Sequence, residues 1–101
     1  MRVLVFFDLP TVTSADLREY RRFRKFLIRD GYLMLQQSVY CKLALNHSVV
    51  DALRDRLARN KPRRGLVQIL VVTERQFHKM DVLVGQVQSD VIDDDSRLVV
   101  L

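Results

Sequence analysis

Two segments of the sequence are apolar at almost every successive position, and no other feature constrains the fold as strongly. They are VLVFF at residues 3–7 and LVQILVV at residues 66–72. Because neighbouring side chains of a strand point to opposite faces, such a run predicts a strand that is covered on both faces. A chain of 101 residues is long enough for one such domain and too short for two ordinary ones. We therefore predict a single domain over residues 1–101.

Between these strands, apolar residues recur every three or four positions in two stretches, which predicts two helices. The first runs to about Asp30 and ends at Gly31. The second must end before Pro62, because the residue preceding a proline resists helical geometry. The candidate N-terminal caps are Thr13 or Ser14 for the first helix and Asn46 or Ser48 for the second.

Residues 32–43 are strand-like throughout, either as one long strand or as two short strands joined near residues 36–38, and we favour two. The resulting order of strand, helix, strand, strand, helix and strand is the ferredoxin-like βαββαβ plan of the α+β class. We expect residues 80–101 to form a C-terminal extension. In it we predict a short strand over residues 80–84, an acidic loop over residues 89–96 and a last strand over residues 98–101.

The second face of the sheet needs a cover of its own. Two helices cover one face, and the sequence leaves no residues for a third layer, so we expect the sheet of a second copy to pack on it face to face about a two-fold axis. The predicted working unit is therefore a homodimer. The chain ends in the apolar sequence RLVVL, and since an apolar terminus needs a surface, we expect residues 97–101 to add a strand at a sheet edge of the partner protomer.

The first predicted helix carries a row of cations opposite its apolar stripe. At 100° per residue, Arg18, Arg22, Lys25 and Arg29 lie within about 40° of one another, and Arg21 flanks them. Acidic residues lie only near the ends of the helix, so we expect the middle of the row to be unpaired and to favour a bound polyanion. Arg24 lies inside the apolar arc, where we expect it to pair with a carboxylate at an interface.

A second basic group, formed by Lys61, Arg63 and Arg64, lies in the turn before residues 66–72. Its distance from the first group does not follow from the sequence. The net charge is +5, and 13 of the 17 basic residues are Arg, whose planar guanidinium suits phosphate. Both groups are predicted to bind nucleic acid, with an ordinary solvated surface as the alternative.

Asp8 directly follows the strand at residues 3–7, and Pro10 prevents the strand from continuing. A carboxylate buried alone at the end of an interior strand is unfavourable by several kcal/mol, so it must be paired, hydrated or metal-bound. Mg²⁺ is a suitable partner, because it takes one or two carboxylates and keeps several waters. In a face-to-face dimer, two copies of Asp8 can hold one ion. The residues alone favour the alternative, a structural Asp that caps the first helix or bonds the turn at residues 11–13.

Other groups of catalytic type are isolated in the sequence. His47 and His78 have no partner at metal-ligand spacing, and we expect both to be surface or cap residues. Ser38 and Cys41 have no visible base. The acidic run at residues 93–95 is expected to be solvated.

Cys41 is the single cysteine, so there is no disulfide framework, and a reducing compartment fits. No stretch approaches the roughly 18 apolar residues of a membrane span. We expect a cytoplasmic protein with no membrane contact.

Several segments together resemble a known family. FFDLP, EYRRFRKFLIRDGY, QQSVYCKLAL and TERQFHKM, with RLVVL at the end, occur in an order and spacing similar to those of the CRISPR-associated Cas-two proteins, most closely those of type II-A systems. The resemblance runs through nearly the whole chain. It implies a ferredoxin-like prokaryotic homodimer that acts in spacer acquisition. Such a dimer bridges two dimers of the integrase Cas-one and binds the duplex DNA, protospacer and repeat, that enters the repeat array.

The resemblance also bears on Asp8. Several members of the family are magnesium-dependent endonucleases on RNA or duplex DNA, so the resemblance implies that Asp8 is a metal ligand and catalytic residue, with Mg²⁺ as cofactor. A second acidic ligand for a two-metal site is not identifiable in this chain. One alternative is a stand-alone metal-dependent nuclease with no scaffold role. Another is a single-strand RNA-binding module, which would need exposed aromatic residues on a central strand, whereas Phe6 and Phe7 lie in a fully apolar run.

Overall fold

The structure of the protein, a computed structural model, describes residues 1–85. The elements are β1 (Arg2–Asp8), α1 (Ser14–Arg29), β2 (Leu33–Gln36), β3 (Val39–Leu43), α2 (His47–Asn60), β4 (Leu66–Val72) and α3 (Glu74–Phe77). The four strands form one antiparallel sheet in the order β2-β3-β1-β4. The predicted ferredoxin-like plan is confirmed, and β2 and β3 are two separate strands, as predicted, with the turn at residues 37–38.

The core lies between α1, α2 and one face of the sheet. Val3, Val5 and Phe7 of β1 point into it and are at most 5% exposed. The helices contribute the buried residues Phe23 and Leu27 of α1 and Val50, Leu53 and Leu57 of α2. The ring centroids of Phe7 and Phe23 are 5.4 Å apart in an edge-to-face arrangement.

Local sequence signals fix both ends of α1. Thr13 is the N-cap, and its side chain and that of Asp16 bond each other's backbone N–H groups in a capping box. At the other end, Gly31 has a φ of +91°. The N–H groups of Gly31 and Tyr32 donate to the carbonyls of Ile28 and Leu27, which is the Schellman arrangement. These two caps set where the cation-bearing helix begins and ends.

Residues of the chain itself cover part of the second face of the sheet. This corrects the expectation that the sequence leaves no residues for a third layer. Phe77 of α3 is 2% exposed and packs with Leu4 and Cys41, while Met80 lies beside them. The rest of this face is open. Its apolar residues Leu33, Leu43, Leu66 and Leu70 are 40%, 54%, 53% and 50% exposed.

The predicted short strand at residues 80–84 is wrong. Within the described residues this stretch has no strand pairing, and Leu83 and Val84 are 56% and 87% exposed, because the chain leaves the sheet after β4 to form α3. The predicted acidic loop, last strand and exchange with a partner protomer fall outside residues 1–85 and stay predictions. Among residues 1–85, none of the helices has the length and apolar character that a membrane span requires.

Candidate nucleic-acid interface and the Asp8 site

The outward side of α1 carries most of the predicted cation row. Arg18, Arg21, Lys25 and Arg29 are all exposed, and none of them forms an ion pair within residues 1–85. The apolar side of the same helix is fixed in the core by Phe23 and Leu27. These four cations are therefore held on the surface by the packing of the helix.

Arg22 differs from its neighbours, which corrects the expectation of an unpaired row. Its Nε donates to a Glu19 carboxylate oxygen at 3.0 Å, and its Nη2 donates to the main-chain oxygen of Lys61 at 3.2 Å. Arg22 therefore joins α1 to the turn between α2 and β4.

The same turn has further attachments to α1. The backbone N–H of Arg63 donates to Glu19 Oε1 at 3.3 Å, and Arg64 Nη1 lies 3.9 Å from Asp16 Oδ1. Glu19 thus bonds Arg22 on its own helix and the turn 44 positions further along the chain. The structure therefore brings together the two basic groups that the sequence left separate.

We call the combined group the basic surface. It consists of Arg18, Arg21, Arg22, Lys25, Arg29, Lys61, Arg63 and Arg64. Arg59 is a further exposed cation that the sequence did not indicate as a neighbour of this group. It lies in the last turn of α2, only two residues before Lys61.

The two carboxylates inside the basic surface are already used by the fold. The hydrogen bond from the Thr13 backbone lowers the pKa of Asp16, and the hydrogen bond from Arg22 lowers the pKa of Glu19. Both groups therefore stay ionised near neutral pH and hold the helix cap and the turn in place. The Arg64 side chain remains 74% exposed despite its contact with Asp16, so the rim of the surface stays cationic.

Arg24 is placed differently from the prediction. Its Nε donates to the hydroxyl of Tyr40 at 3.0 Å, and in residues 1–85 it has no carboxylate partner. This hydrogen bond raises the pKa of Arg24. Arg24 thus satisfies the hydroxyl of a core tyrosine, and we do not count it as part of the basic surface.

Asp8 ends β1 on the second face of the sheet, opposite Leu66 of β4. It is exposed, so the expected burial penalty does not arise within one protomer. The alternative cap role is wrong, because Thr13 caps α1 and the Asp8 side chain makes no hydrogen bond in the described part of the chain. Asp8 lines a shallow depression together with Ser38, Leu66 and Gln68.

The donor set around Asp8 fits a loosely held magnesium ion and no tighter site. No group of three or more His, Cys, Asp or Glu residues converges anywhere in residues 1–85. Mg²⁺ accepts a single carboxylate when waters and substrate phosphates complete its shell. One exposed Asp8 is therefore compatible with such an ion, and a second copy of the chain would add a second carboxylate.

The other catalytic candidates lie at helix ends, in the core and in the hairpin turn. His47 is exposed at the start of α2, and His78 caps α3 with its Nε2 3.6 Å from Glu74 Oε1. Cys41 is fully buried, and burial raises the pKa of its thiol. Ser38 is exposed in the hairpin turn. The acidic run at residues 93–95 lies outside the described residues.

Comparison with known proteins gives the family. The family model described as CRISPR associated protein Cas2 matches residues 1–80. The chain belongs to the Cas2 family. This match confirms the resemblance noted in the sequence and covers β1 through α3, including Asp8 and the whole basic surface.

Relatives of this Cas2 family member are similar over its full length. It is 46% identical over 101 residues to a protein of Treponema denticola, covering 100% of both chains. It is also 46% identical over 101 residues to one from Streptococcus mutans, covering 100% of this chain and 93% of the relative. Both relatives are named CRISPR-associated endoribonuclease Cas2.

A solved structure has the same fold. The crystal structure of Streptococcus pyogenes Cas2 at pH 6.5 superposes with a TM-score of 0.63 at 22% identity, covering 83% of this chain and 100% of that one. At this level of identity the match supports the fold alone.

Proposed function

We propose that this chain acts in CRISPR spacer acquisition as a homodimer that binds duplex DNA and bridges dimers of the integrase Cas-one. The observation that carries the proposal is the basic surface. Its cations come from α1 and from the turn before β4, and the two acids among them are engaged in holding that turn. A surface of this kind neutralises successive backbone phosphates without reading bases.

The open part of the second sheet face supports the homodimer. Four leucines there, on β2, β3 and β4, are between 40% and 54% exposed. Exposed apolar residues on one face of a sheet favour burial against another sheet. The basic surface includes α1, which covers the opposite face of the sheet, so such a dimer leaves both copies of the surface accessible.

The single-strand RNA-binding alternative lacks its required feature. Phe7 lies in the core at 5% exposure, and Phe6 packs partly buried against the cluster on the second face. Neither ring on the central strand β1 offers the exposed platform on which a base would stack.

Charge reversal tests the binding proposal. We expect Arg18→Glu together with Lys25→Glu to weaken binding of a short DNA duplex by roughly 10- to 100-fold at low salt, because two phosphate contacts become repulsive. Arg75→Glu with Lys79→Glu is the matched control, since both residues are exposed outside the basic surface and the net charge changes equally. Equal loss in both variants would show that overall charge, rather than this surface, governs binding.

A second proposal is a magnesium-dependent endonuclease acting on RNA or DNA, with Asp8 as metal ligand and catalytic residue. The names of the two relatives and the exposed position of Asp8 favour it. Asp8 would hold the ion in the depression that it lines with Ser38, Leu66 and Gln68. When bound, the ion supplies Lewis-acid polarisation of the phosphoryl group.

Two assays separate the proposals. Cleavage by Asp8→Ala at the rate of the unchanged protein, or cleavage in excess chelator, would reject the nuclease role. An integration assay with the Cas-one protein of the same locus would then compare the unchanged protein with Asp8→Ala. Equal integration by the two proteins would assign Asp8 a role outside the integration chemistry. Failure of the protein to co-purify with Cas-one would contradict the bridging role and favour the alternative of a stand-alone nuclease.

A further inference from the structure

The second half of α1 carries a shallow depression within the basic surface. Its lining residues are Arg22, Lys25, Phe26, Arg29 and Asp30. The helical positions of this set are spaced by three, four or seven residues, so the side chains share one face of α1. An aromatic ring therefore lies among three of the cations that we assign to nucleic-acid binding.

The charges around this depression favour an anion. Lys25 and Arg29 are exposed and form no ion pair in the described part of the chain. Asp30 is the acidic member of the lining, and its carboxylate accepts a hydrogen bond from Arg56 Nε of α2 at 2.9 Å. Because Arg56 balances that carboxylate, the two lysine and arginine charges remain available to a phosphate.

Phe26 is held in place from below. Its ring is half-buried and packs against the core, where its centroid lies 6.3 Å from that of Phe23 in a stacked arrangement. The part of the residue that the core does not cover borders the depression. A fixed apolar surface between cations cannot attract a phosphate, but it suits an apolar group that is covalently attached to one.

We propose that Phe26 is a nucleic-acid contact residue that packs against the deoxyribose of a nucleotide whose phosphates Lys25 and Arg29 hold. In a duplex the bases are stacked inside, and phosphates and sugars form the outer surface, so a ring flanked by cations meets a sugar and not a base. The contact adds an apolar component to a surface that otherwise acts through charge. This inference rests on the proposed duplex binding and deepens it.

The dependence of affinity on salt separates this apolar contact from a phosphate contact. Burying apolar surface releases no counterions, whereas each phosphate contact contributes about 0.9 to the slope of log K against log salt. For Phe26→Ala we expect affinity for a short DNA duplex to fall by roughly 3- to 10-fold at every salt concentration, with the slope unchanged. For Lys25→Gln we expect the magnitude of the slope to fall by about 0.9.

Ile28→Ala is the matched control. Ile28 is an apolar residue of the same helix that is 52% exposed, and it does not line the depression. At 100° per residue, it points about 160° away from Phe26. We expect its affinity for the duplex to stay within about twofold of the unchanged protein, because no nucleic-acid contact is lost. Thermal unfolding checks that both alanine variants fold.

A single strand of the same sequence tests which part of the nucleotide Phe26 contacts. A sugar contact predicts a loss on the duplex at least as large as the loss on the single strand. Stacking on an unpaired base predicts the reverse, because only a single strand offers its base faces to the protein. A loss in Phe26→Ala that is confined to the single strand would therefore overturn the proposal.

Other results would also overturn it. Phe26→Ala binding the duplex as tightly as Ile28→Ala does would reject the contact, and a reduced slope without a parallel displacement would assign the effect to lost charge. If Phe26→Ala does not fold, NMR of the unchanged protein with the duplex decides. Nuclear Overhauser effects between Phe26 ring protons and deoxyribose protons would support the contact, and their absence would reject it. If the unchanged protein does not bind the duplex at all, the proposed DNA-binding function fails as well.

Discussion

Arg2 of β1 and Glu74 of α3 form a two-point ion pair across the second face of the sheet. Arg2 Nε donates to Glu74 Oε2 at 2.9 Å, and Nη2 donates to Oε1 at 2.7 Å. The guanidinium carbon also lies 4.3 Å from the centroid of the Phe77 ring. A helix as short as α3 has no stability of its own, so this pair and Phe77 hold it on the sheet.

Glu74→Gln should therefore destabilise the protein. We expect the free energy of unfolding to fall by about 1–2 kcal/mol, because Arg2 is left with a weaker partner while its side chain is only 10% exposed. Asp51→Asn is the control, since its ion pair with Arg54 is 3.6 Å long and exposed, and its loss should cost less than about 0.5 kcal/mol. Urea denaturation measures both, and equal losses would contradict the role of the pair.

The same pair predicts a dependence of stability on pH. The hydrogen bond from Arg2 lowers the pKa of Glu74 from its ordinary 4.5 in the folded protein. Protonation therefore favours the unfolded chain, and this contribution is present above pH 4.5 and lost as the pH falls below it through the lowered pKa. Stability of the unchanged protein should fall more steeply between about pH 5 and 3 than that of Glu74→Gln. Parallel curves would show that Glu74 does not contribute.

Removal of the hydroxyl group should have different effects on the free energy of unfolding at two buried tyrosines. Tyr32 is 3% exposed, its hydroxyl has no hydrogen-bond partner within residues 1–85, and burial raises its pKa. The Tyr40 hydroxyl accepts from Arg24. We expect Tyr32→Phe to be neutral or to stabilise by up to about 1 kcal/mol, and Tyr40→Phe to destabilise by about 1 kcal/mol. A large loss in Tyr32→Phe, measured by urea denaturation, would reveal a partner for its hydroxyl.

The open part of the second face predicts how the proposed homodimer can be weakened. Leu66→Lys together with Leu70→Lys places two charges on this face, so we expect dissociation in sedimentation experiments at low micromolar concentration. Leu45→Lys is the control, because Leu45 is 87% exposed in the loop between β3 and α2. A double variant as dimeric as the control would reject face-to-face packing.

The C-terminal exchange has a separate test. Deleting residues 97–101 should weaken the dimer if that apolar segment adds a strand to the partner. A shortened chain that sediments as the full chain does would exclude an important contribution from the exchange.

The local parts of the fold could be predicted because their causes are local. The cap at Thr13 and the stop at Gly31 act through neighbouring backbone groups, and both are confirmed. The helix α3 was missed, although the sequence TERQ from Thr73 to Gln76 carries a capping-box pattern that could have indicated it. Its burial depends on Arg2, 72 positions from Glu74, and such a contact leaves no periodic trace in the sequence.

The candidate site was predictable residue by residue but not as a surface. Helical spacing alone identified the cations of α1. The contact between α1 and the basic turn depends on Glu19. Glu19 bonds Arg22 on its own helix and also the backbone of Arg63, which is 44 positions away in the sequence. The exposure of Asp8 likewise depends on where β1 ends relative to β4, which the composition of the strand does not determine.

The salt dependence of duplex binding tests the central claim most directly. Each cation that contacts a phosphate contributes about −0.9 to the slope of log K against log salt concentration. We expect substitution of Arg18, Arg21, Lys25, Arg63 and Arg64 by Gln to reduce the magnitude of that slope by roughly 3 to 4.5, while Arg75→Gln with Lys79→Gln leaves it unchanged. If the variant with all five substitutions kept the slope of the unchanged protein, the basic surface would not be the nucleic-acid interface.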